Sequence, residues 1–299
     1  MLLLGLNVKL RKGGDIGMSF TIVLKFSRDW CLDPFFKRFN SMKFDRGECN
    51  LIMINNTQDL FISIEFFRHL AEKINEFKTI QIIQTNQTKS FRNNILNSRG
   101  VPHPFHTWSS QKSFQMIKLI GDLVKDEIHI QLEDDTLPHV DTINLLLLHM
   151  KDSKVSIAFG PVPHRERGFK VVGHNAYNLM KFDENGFLLA RSNFPVYKIG
   201  VYECEAAGYC NIAFRKEPYK KAIQFIENLK VGIRGSGSDI YFTNSMKKSG
   251  GKILCDFSLW GEHMFQDNGK LKKNSVENTR QWDWVYNLKK RYYNIKFID

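Results

Sequence analysis

Apolar and polar positions along the chain alternate between two periods. Residues 20–26 (FTIVLKF) form a β-branched and aromatic run, the pattern of a buried strand. Asp33-Pro34 follows, an N-cap residue with proline at the first helical position, and predicts a short helix to about 42. Residues 51–54 read as a second strand. Asn55-Asn56-Thr57 is turn chemistry, and Asp59 is placed to cap a helix to about 77. Residues 79–84 predict a third strand, and Ser109 or Ser110 a cap for a helix to about 125. Residues 128–132 predict a fourth strand, which ends abruptly in Glu133-Asp134-Asp135. Pro138 reads as the start of another helix, and 155–159 as a fifth strand.

Strands alternating with helices predict an α/β domain with a mostly parallel sheet flanked by helices. Ligands of such sheets sit beyond the carboxyl ends of the strands. The turns at Asn55 and at Glu133 fall on that edge. The second half reads as a smaller β portion, with strands at 170–182, 186–191, 196–201 and 208–215. Helices follow at 218–229 and 238–248, with Gly250 as C-cap, then a strand at 252–255. After Gly261-Glu262-His263 the chain turns basic and polar, and 282–297 is aromatic and basic.

Composition narrows the class. With 42% hydrophobic and 13% aromatic residues, the 299-residue chain is excluded from the disordered class. Lys plus Arg outnumber Asp plus Glu by 43 to 31, a net charge of +12, which favours anionic partners. Five cysteines, an odd number with no CxxC pair, fit neither a disulfide scaffold nor a zinc ribbon and read as buried free thiols. The apolar run at 143–150 is far short of the roughly 20 residues that span a bilayer. At the N-terminus the basic residues follow the apolar ones, the reverse of a secretory signal. These points predict a soluble, cytoplasmic protein. Lys12-Gly13-Gly14-Asp15 is encodable as a ribosome-binding sequence ahead of Met18, so 1–17 reads either as translated leader or as a flexible arm. The expected division is then 1–17, a main domain over 18–266, and a basic aromatic tail over 267–299.

Three features carry chemistry. Glu133-Asp134-Asp135 gathers three carboxylates behind an apolar strand, a costly arrangement that a divalent cation bridging to phosphate would offset. Oxygen ligands suit Mg²⁺ or Mn²⁺ rather than Zn²⁺. The plainer reading is an acidic loop in which Asp135 or Thr136 caps the following helix. Gly235-Ser236-Gly237-Ser238-Asp239 turns into a helix, and its carboxylate serves either as a general base or as an N-terminal charge on the helix. His263 stands beside Glu262 after the last strand, as a metal ligand or an ordinary core or surface histidine.

Taken in order, IHIQLEDDTLP, GYCNIAFRKE and GSDIYFTNSMKKSGGKILCDFSLWGEH resemble the family 2 type of nucleotide-sugar glycosyltransferase, which has the GT-A fold. The resemblance extends from about 20 to 263. It implies a metal-dependent, inverting transfer of a sugar from a nucleoside-diphosphate sugar to an acceptor hydroxyl. It implies that Glu133 and Asp135 are the outer acids of a DxD-like motif, with Asp135 the direct ligand and Asp134 nearer the sugar. It further implies Asp239 as catalytic base, His263 as completing the metal site, and Asn55 and Asn56 at the nucleotide base. Arg165 and Arg167 are candidates for a mobile clamp on the diphosphate, or for a solvated turn. Two departures stand out: the Glu common before the catalytic Asp is Ser238 here, and the Gln-x-x-Arg-Trp motif of processive synthases is missing.

The acceptor stays open between a cell-surface glycan and hydroxylated bases of viral DNA. For DNA, the tail's Lys270, Lys272, Lys273, Arg280 and Lys289 to Arg291, interleaved with Trp282, Trp284 and Tyr286, would track phosphates and stack on bases. An amphipathic helix with solvated lysines gives the same pattern. A catalytically inactive binding module and a metal-dependent nucleotidyltransferase are the competing classes.

Overall fold

The computed structural model describes residues 6–9, 19–57, 59, 61–85, 108–162, 181–182, 188–190, 200–227, 238–267 and 270–274. Fourteen strands and six helices appear among them. In the first half these are β1 (Leu6–Lys9), β2 (Phe20–Phe26), α1 (Leu32–Ser41), β3 (Cys49–Asn55), α2 (Phe61–Leu70), β4 (Thr79–Gln84), α3 (Trp108–Leu123), β5 (Ile128–Glu133), β6 (Thr136–Leu137), α4 (Thr142–His149) and β7 (Val155–Phe159). In the second half they are β8 (Lys181–Phe182), β9 (Leu188–Ala190), β10 (Val201–Cys204), β11 (Ile212–Arg215), α5 (Lys216–Glu227), α6 (Ser238–Lys248), β12 (Lys252–Asp256), β13 (Glu262–Asp267) and β14 (Lys270–Asn274).

The main sheet runs β1-β4-β3-β2-β5-β11-β7-β12-β10. Its body, β4, β3, β2 and β5, is parallel, and β7 and β12 point the same way after an antiparallel β11 is inserted between β5 and β7. Only β1, β11 and β10 run against the rest, so the expected mostly parallel α/β sheet is present.

Burial of both sheet faces explains why these strands are nearly continuous apolar runs. Strand alternation sends Phe20, Ile22, Leu24 and Phe26 to one face with α1, α2 and α4, and Val23 to the other with α3, α5 and α6. The first face is built largely of phenylalanine. The Phe26 ring stacks on Phe36 at 5.3 Å, meets Phe35 edge-on at 5.3 Å and lies 4.6 Å from Phe66. Burying each such ring contributes about 1.5–3 kcal/mol. Phe26 is also the last residue of β2, so this packing anchors the chain where it leaves the sheet for the site.

Several boundaries differ from expectation. A 3₁₀ turn at Asp29–Cys31 feeds α1, so the helix begins at Leu32 with Cys31 at its N-cap, and Asp33 lies within the first turn. Asp59 Oδ1 does accept from the Phe61 N–H at 2.8 Å, but α2 stops at Leu70. Ser109 and Ser110 lie inside α3 rather than capping it. Pro138 follows strand β6 and does not open a helix; α4 starts at Thr142. Gly250 ends α6 as expected, with φ of +93° and its N–H donating to the Lys247 carbonyl. All five cysteines are free and buried.

Two elements cross the expected division. β1, within 1–17, pairs antiparallel with β4 at the sheet edge. The β13–β14 hairpin spans the boundary at 266 and joins β6 in a second sheet, β14-β13-β6. Met18, Arg165, Arg167, the glycines of the 235–237 loop and residues 275–299 lie outside the described residues. Among the described residues no helix is long and apolar enough to cross a membrane.

Candidate active site at the carboxyl edge of the sheet

The acidic triplet occupies the carboxyl end of β5. The neighbouring strand β2 places Lys25 directly opposite Glu133, and Lys25 Nζ lies 3.5 Å from Glu133 Oε1. Two residues on, where Phe26 pins the chain, the Ser27 N–H donates to Asp134 Oδ2 at 2.6 Å. Arg28 Nη1 donates to Asp134 Oδ1 at 2.5 Å and lies 3.2 Å from Asp135 Oδ2. Asp134 and Asp135 side chains are each 1% exposed, against 24% for Glu133.

These contacts set the charge states. Burial pushes the Asp134 carboxyl up to about 6, although Arg28 pulls it down. Burial acts to lower Lys25 and Arg28, but the three carboxylates outweigh it and raise both. Both cations therefore stay charged at neutral pH.

His263 reaches the triplet through the second sheet. β13 pairs with β6 so that His263 faces Thr136, and the Met264 N–H donates to the Asp135 carbonyl at 2.7 Å. His263 Nε2 thereby lies 3.3 Å from Asp135 Oδ2, 128 residues away in sequence. Arg38 of α1 fixes both sides of this junction, donating to the Pro138 carbonyl at 2.6 Å and pairing with Glu262 at 3.4 Å.

The antiparallel insertion brings a third wall. In its register, Ile212 faces Gln131, which sets Cys210 beside Glu133, and the Cys210 thiol donates to Glu133 Oε2 at 3.2 Å. Asn211 sits between these strands with φ of +49°, its amide oxygen accepting from Thr136 Oγ1 at 3.1 Å. Tyr209 packs edge-on to Phe214 and Phe242, and its hydroxyl is buried with no hydrogen-bond partner among the described residues.

Asp239 enters from the first turn of α6. That helix is sewn to the segment before Tyr209: the Ala207 N–H donates to Thr243 Oγ1 at 2.9 Å and Asn244 Nδ2 to the Glu205 carbonyl at 3.0 Å. Burial pushes Asp239 up to about 6; the Ile240 N–H pulls it down and the Glu133 charge pushes it further up. The Glu133 charge raises both Asp239 and Tyr209, and the Asp239 charge raises Tyr209 as well.

Of the residues expected from sequence, Glu133, Asp134, Asp135 and His263 lie together at the carboxyl edge. Glu133 is turned toward Lys25 and Cys210, and among the described residues no group of three or more His, Cys, Asp or Glu side chains is arranged to hold a metal. Of the three residues expected as ligands, Asp135 and His263 lie side by side, with His263 Nε2 3.3 Å from Asp135 Oδ2. Asp134, expected nearer the sugar, is a buried anchor for Ser27 and Arg28. Asn55, expected at the base, is fully buried and spends its amide on the Asp59 carbonyl, Ser63 Oγ and the N–H and hydroxyl of Thr57. It shapes the turn, while the adjacent Asn56 is half-buried, its Oδ1 accepting from Thr85 Oγ1 at 2.9 Å. Sequence reading missed Lys25, Arg28, Tyr209, Cys210 and Asn211. A lysine within the apolar run of β2 and an arginine just after it were the visible signals.

A mostly parallel sheet of this order, flanked by helices and with an acidic turn at its carboxyl edge, matches the GT-A fold. Comparison with solved structures supports this fold. The chain superposes on a crystal structure of GalNAc-T7 with UDP, GalNAc and Mn²⁺ with a TM-score of 0.54 and 12% identity, over 86% of this chain and 45% of that one. It therefore spans less than half the length of that protein. Weaker likenesses are to the mannosyltransferase PcManGT from Pyrobaculum calidifontis in complex with GDP-Man and Mn²⁺ (TM-score 0.46, 11% identity, 84% and 60% covered) and to S. aureus TarS (TM-score 0.46, 11% identity, 81% and 36% covered). No protein-family model matches the chain, and no curated protein does.

Proposed function

We propose that the chain is a glycosyltransferase that moves a sugar from a nucleoside-diphosphate sugar to an acceptor hydroxyl with inversion. The observation that carries this reading is the meeting of Asp135 and His263 at 3.3 Å, with Asp239 held in the electrostatic neighbourhood of Glu133 on the next wall. Mn²⁺ or Mg²⁺ would take Asp135 and His263 as protein ligands and would neutralise the charge that builds on the leaving diphosphate. The donor set fits such an ion as a two-residue site that diphosphate oxygens would complete. Asp239 would accept the proton of the acceptor hydroxyl as the new oxygen–carbon bond forms at the sugar. The sugar's bond to the β-phosphate oxygen would break in the same step, and its electron pair would leave with the diphosphate. A carboxylate near 6 suits that duty better than one near 4: it is ionised at pH 7 and is the stronger base. Arg165 and Arg167 remain candidates for a clamp on the diphosphate, and Asn56 for contact with the base.

A panel of nucleoside-diphosphate sugars, each tested with Mn²⁺ for thermal stabilisation and slow hydrolysis, tests the reading. At least one donor should act, and Asp239→Asn should remove transfer while leaving donor binding. A nucleotidyltransferase would instead release pyrophosphate.

A further inference from the structure

Charge at the acidic turn is balanced largely from within the chain. Glu133, Asp134 and Asp135 supply three carboxylates, and Lys25 and Arg28 meet them from the carboxyl end of β2. One guanidinium nitrogen of Arg28 spans two of the acids, 2.5 Å from Asp134 Oδ1 and 3.2 Å from Asp135 Oδ2. The same oxygen, Asp135 Oδ2, is the one His263 Nε2 approaches at 3.3 Å. An ion seated between Asp135 Oδ2 and His263 Nε2 would contend for an oxygen that Arg28 already faces. Arg28 is well placed to yield: its side chain is 27% exposed, whereas Asp134 and Asp135 are enclosed. A guanidinium is also held by two or more directed bonds, so losing its hold on Asp135 leaves it anchored to Asp134.

Resting on the assignment of Asp135 and His263 as ion ligands made above, we propose that Arg28 is the resident counter-cation of the acidic turn and competes with the divalent ion for Asp135. The turn is then held together without a metal, and the ion binds weakly until an anionic diphosphate adds its own charge. A carboxylate cluster without such a cation would show the opposite behaviour, binding the ion tightly and loosening when stripped of it.

The test is titration of the full chain with Mn²⁺ alone, without nucleotide, followed by calorimetry or the paramagnetic signal of free Mn²⁺. Arg28→Gln should bind Mn²⁺ at least about tenfold more tightly than the unaltered chain, because a repelling unit charge close to the ion is gone. Its melting temperature without metal should fall, and Mn²⁺ should restore it. If Arg28→Gln does not fold without metal, refolding in Mn²⁺ should rescue it. Arg28→Lys, which keeps the charge, should bind Mn²⁺ like the unaltered chain, and adding Asp135→Asn to Arg28→Gln should abolish the tight binding. The proposal is overturned if Arg28→Gln binds no more tightly, if Mn²⁺ does not restore its stability, or if Arg28→Lys tightens binding as much as Arg28→Gln. Because no nucleotide is present, a donor panel without a hit would leave this result standing. A failure here beside a productive donor would leave Arg28 a fixed strut in a working transferase.

Discussion

Asn211 offers a sharp check on how the site is held. It is fully buried, and its backbone lies in the left-handed region at φ of +49°. Its carbonyl accepts from the Gly160 N–H at 3.2 Å, and its amide oxygen shares the Thr136 hydroxyl proton with the Glu133 carbonyl. One residue thus ties the end of β7 and the start of β11 to the acidic turn. Replacing it by Ala keeps a Cβ in a conformation that costs an ordinary L-residue roughly 1–2 kcal/mol. It also loses a buried hydrogen bond worth about 1 kcal/mol. Replacing it by Gly loses the same bond but relieves the backbone, with glycine's greater chain entropy returning about 0.5–1 kcal/mol of the gain. Asn211→Ala should therefore be less stable than the unaltered chain by about 2–3 kcal/mol, and less stable than Asn211→Gly by about 1 kcal/mol. Urea unfolding followed by tryptophan fluorescence resolves this as a shift in midpoint of about 0.3 M for a slope near 3 kcal/mol/M. Equal stability of the two variants, or a less stable Gly variant, would refute the claim that backbone conformation dictates the residue at this position.

Other outcomes follow from the same structure. Asp239 and Asp134 both sit near 6, and protonation of Asp239 as the base should make transfer fall as pH drops through 6; a limb centred near 4 would contradict this. The linkage to stability has the opposite sign: the folded chain holds these protons up to about 6 and the unfolded chain only to about 3.8, so their contribution to stability diminishes as pH rises from 4 to 6. Urea midpoints of Asp239→Asn against the unaltered chain at pH 4.5 and 7 would show it. Gly251→Ala would bring a Cβ within 1.6 Å of Ser156 Oγ and 2.5 Å of Ser156 Cβ, and should cost about 1–3 kcal/mol, with Ser156→Gly in the same chain recovering part of it. No recovery in the double variant would show that the collision is not with Ser156.

Much of the fold was legible from local pattern. β2, β4, β7 and α6 begin and end where the apolar runs and turn residues predict, because each is either buried on both faces or bounded by a strong stop such as Gly250. What escaped depends on partners distant in sequence. Thr136 and Leu137 are a strand only because Glu262 and His263 pair with them, so Pro138 gave a misleading helix signal. The 3₁₀ turn at Asp29–Cys31 supplies the turn that Asp33-Pro34 was expected to open. Of the candidate site, the acidic triplet, Asp239 and His263 were visible in the sequence. Its cations were not, because Lys25 and Arg28 matter only once β2 is known to lie against β5. The surroundings of Glu133 were hidden for the same reason, since Cys210 and Lys25 meet it only in three dimensions.

As proposed above, Asp135 and His263 would hold an ion that in turn holds a nucleoside-diphosphate sugar. The most direct measurement is calorimetric titration of the unaltered chain and of Asp135→Ala with a panel of nucleoside-diphosphate sugars, each with and without Mn²⁺. At least one donor should bind only with Mn²⁺ and lose that binding in Asp135→Ala. No donor binding under any condition, or binding that is indifferent to both Mn²⁺ and Asp135→Ala, would contradict the proposal.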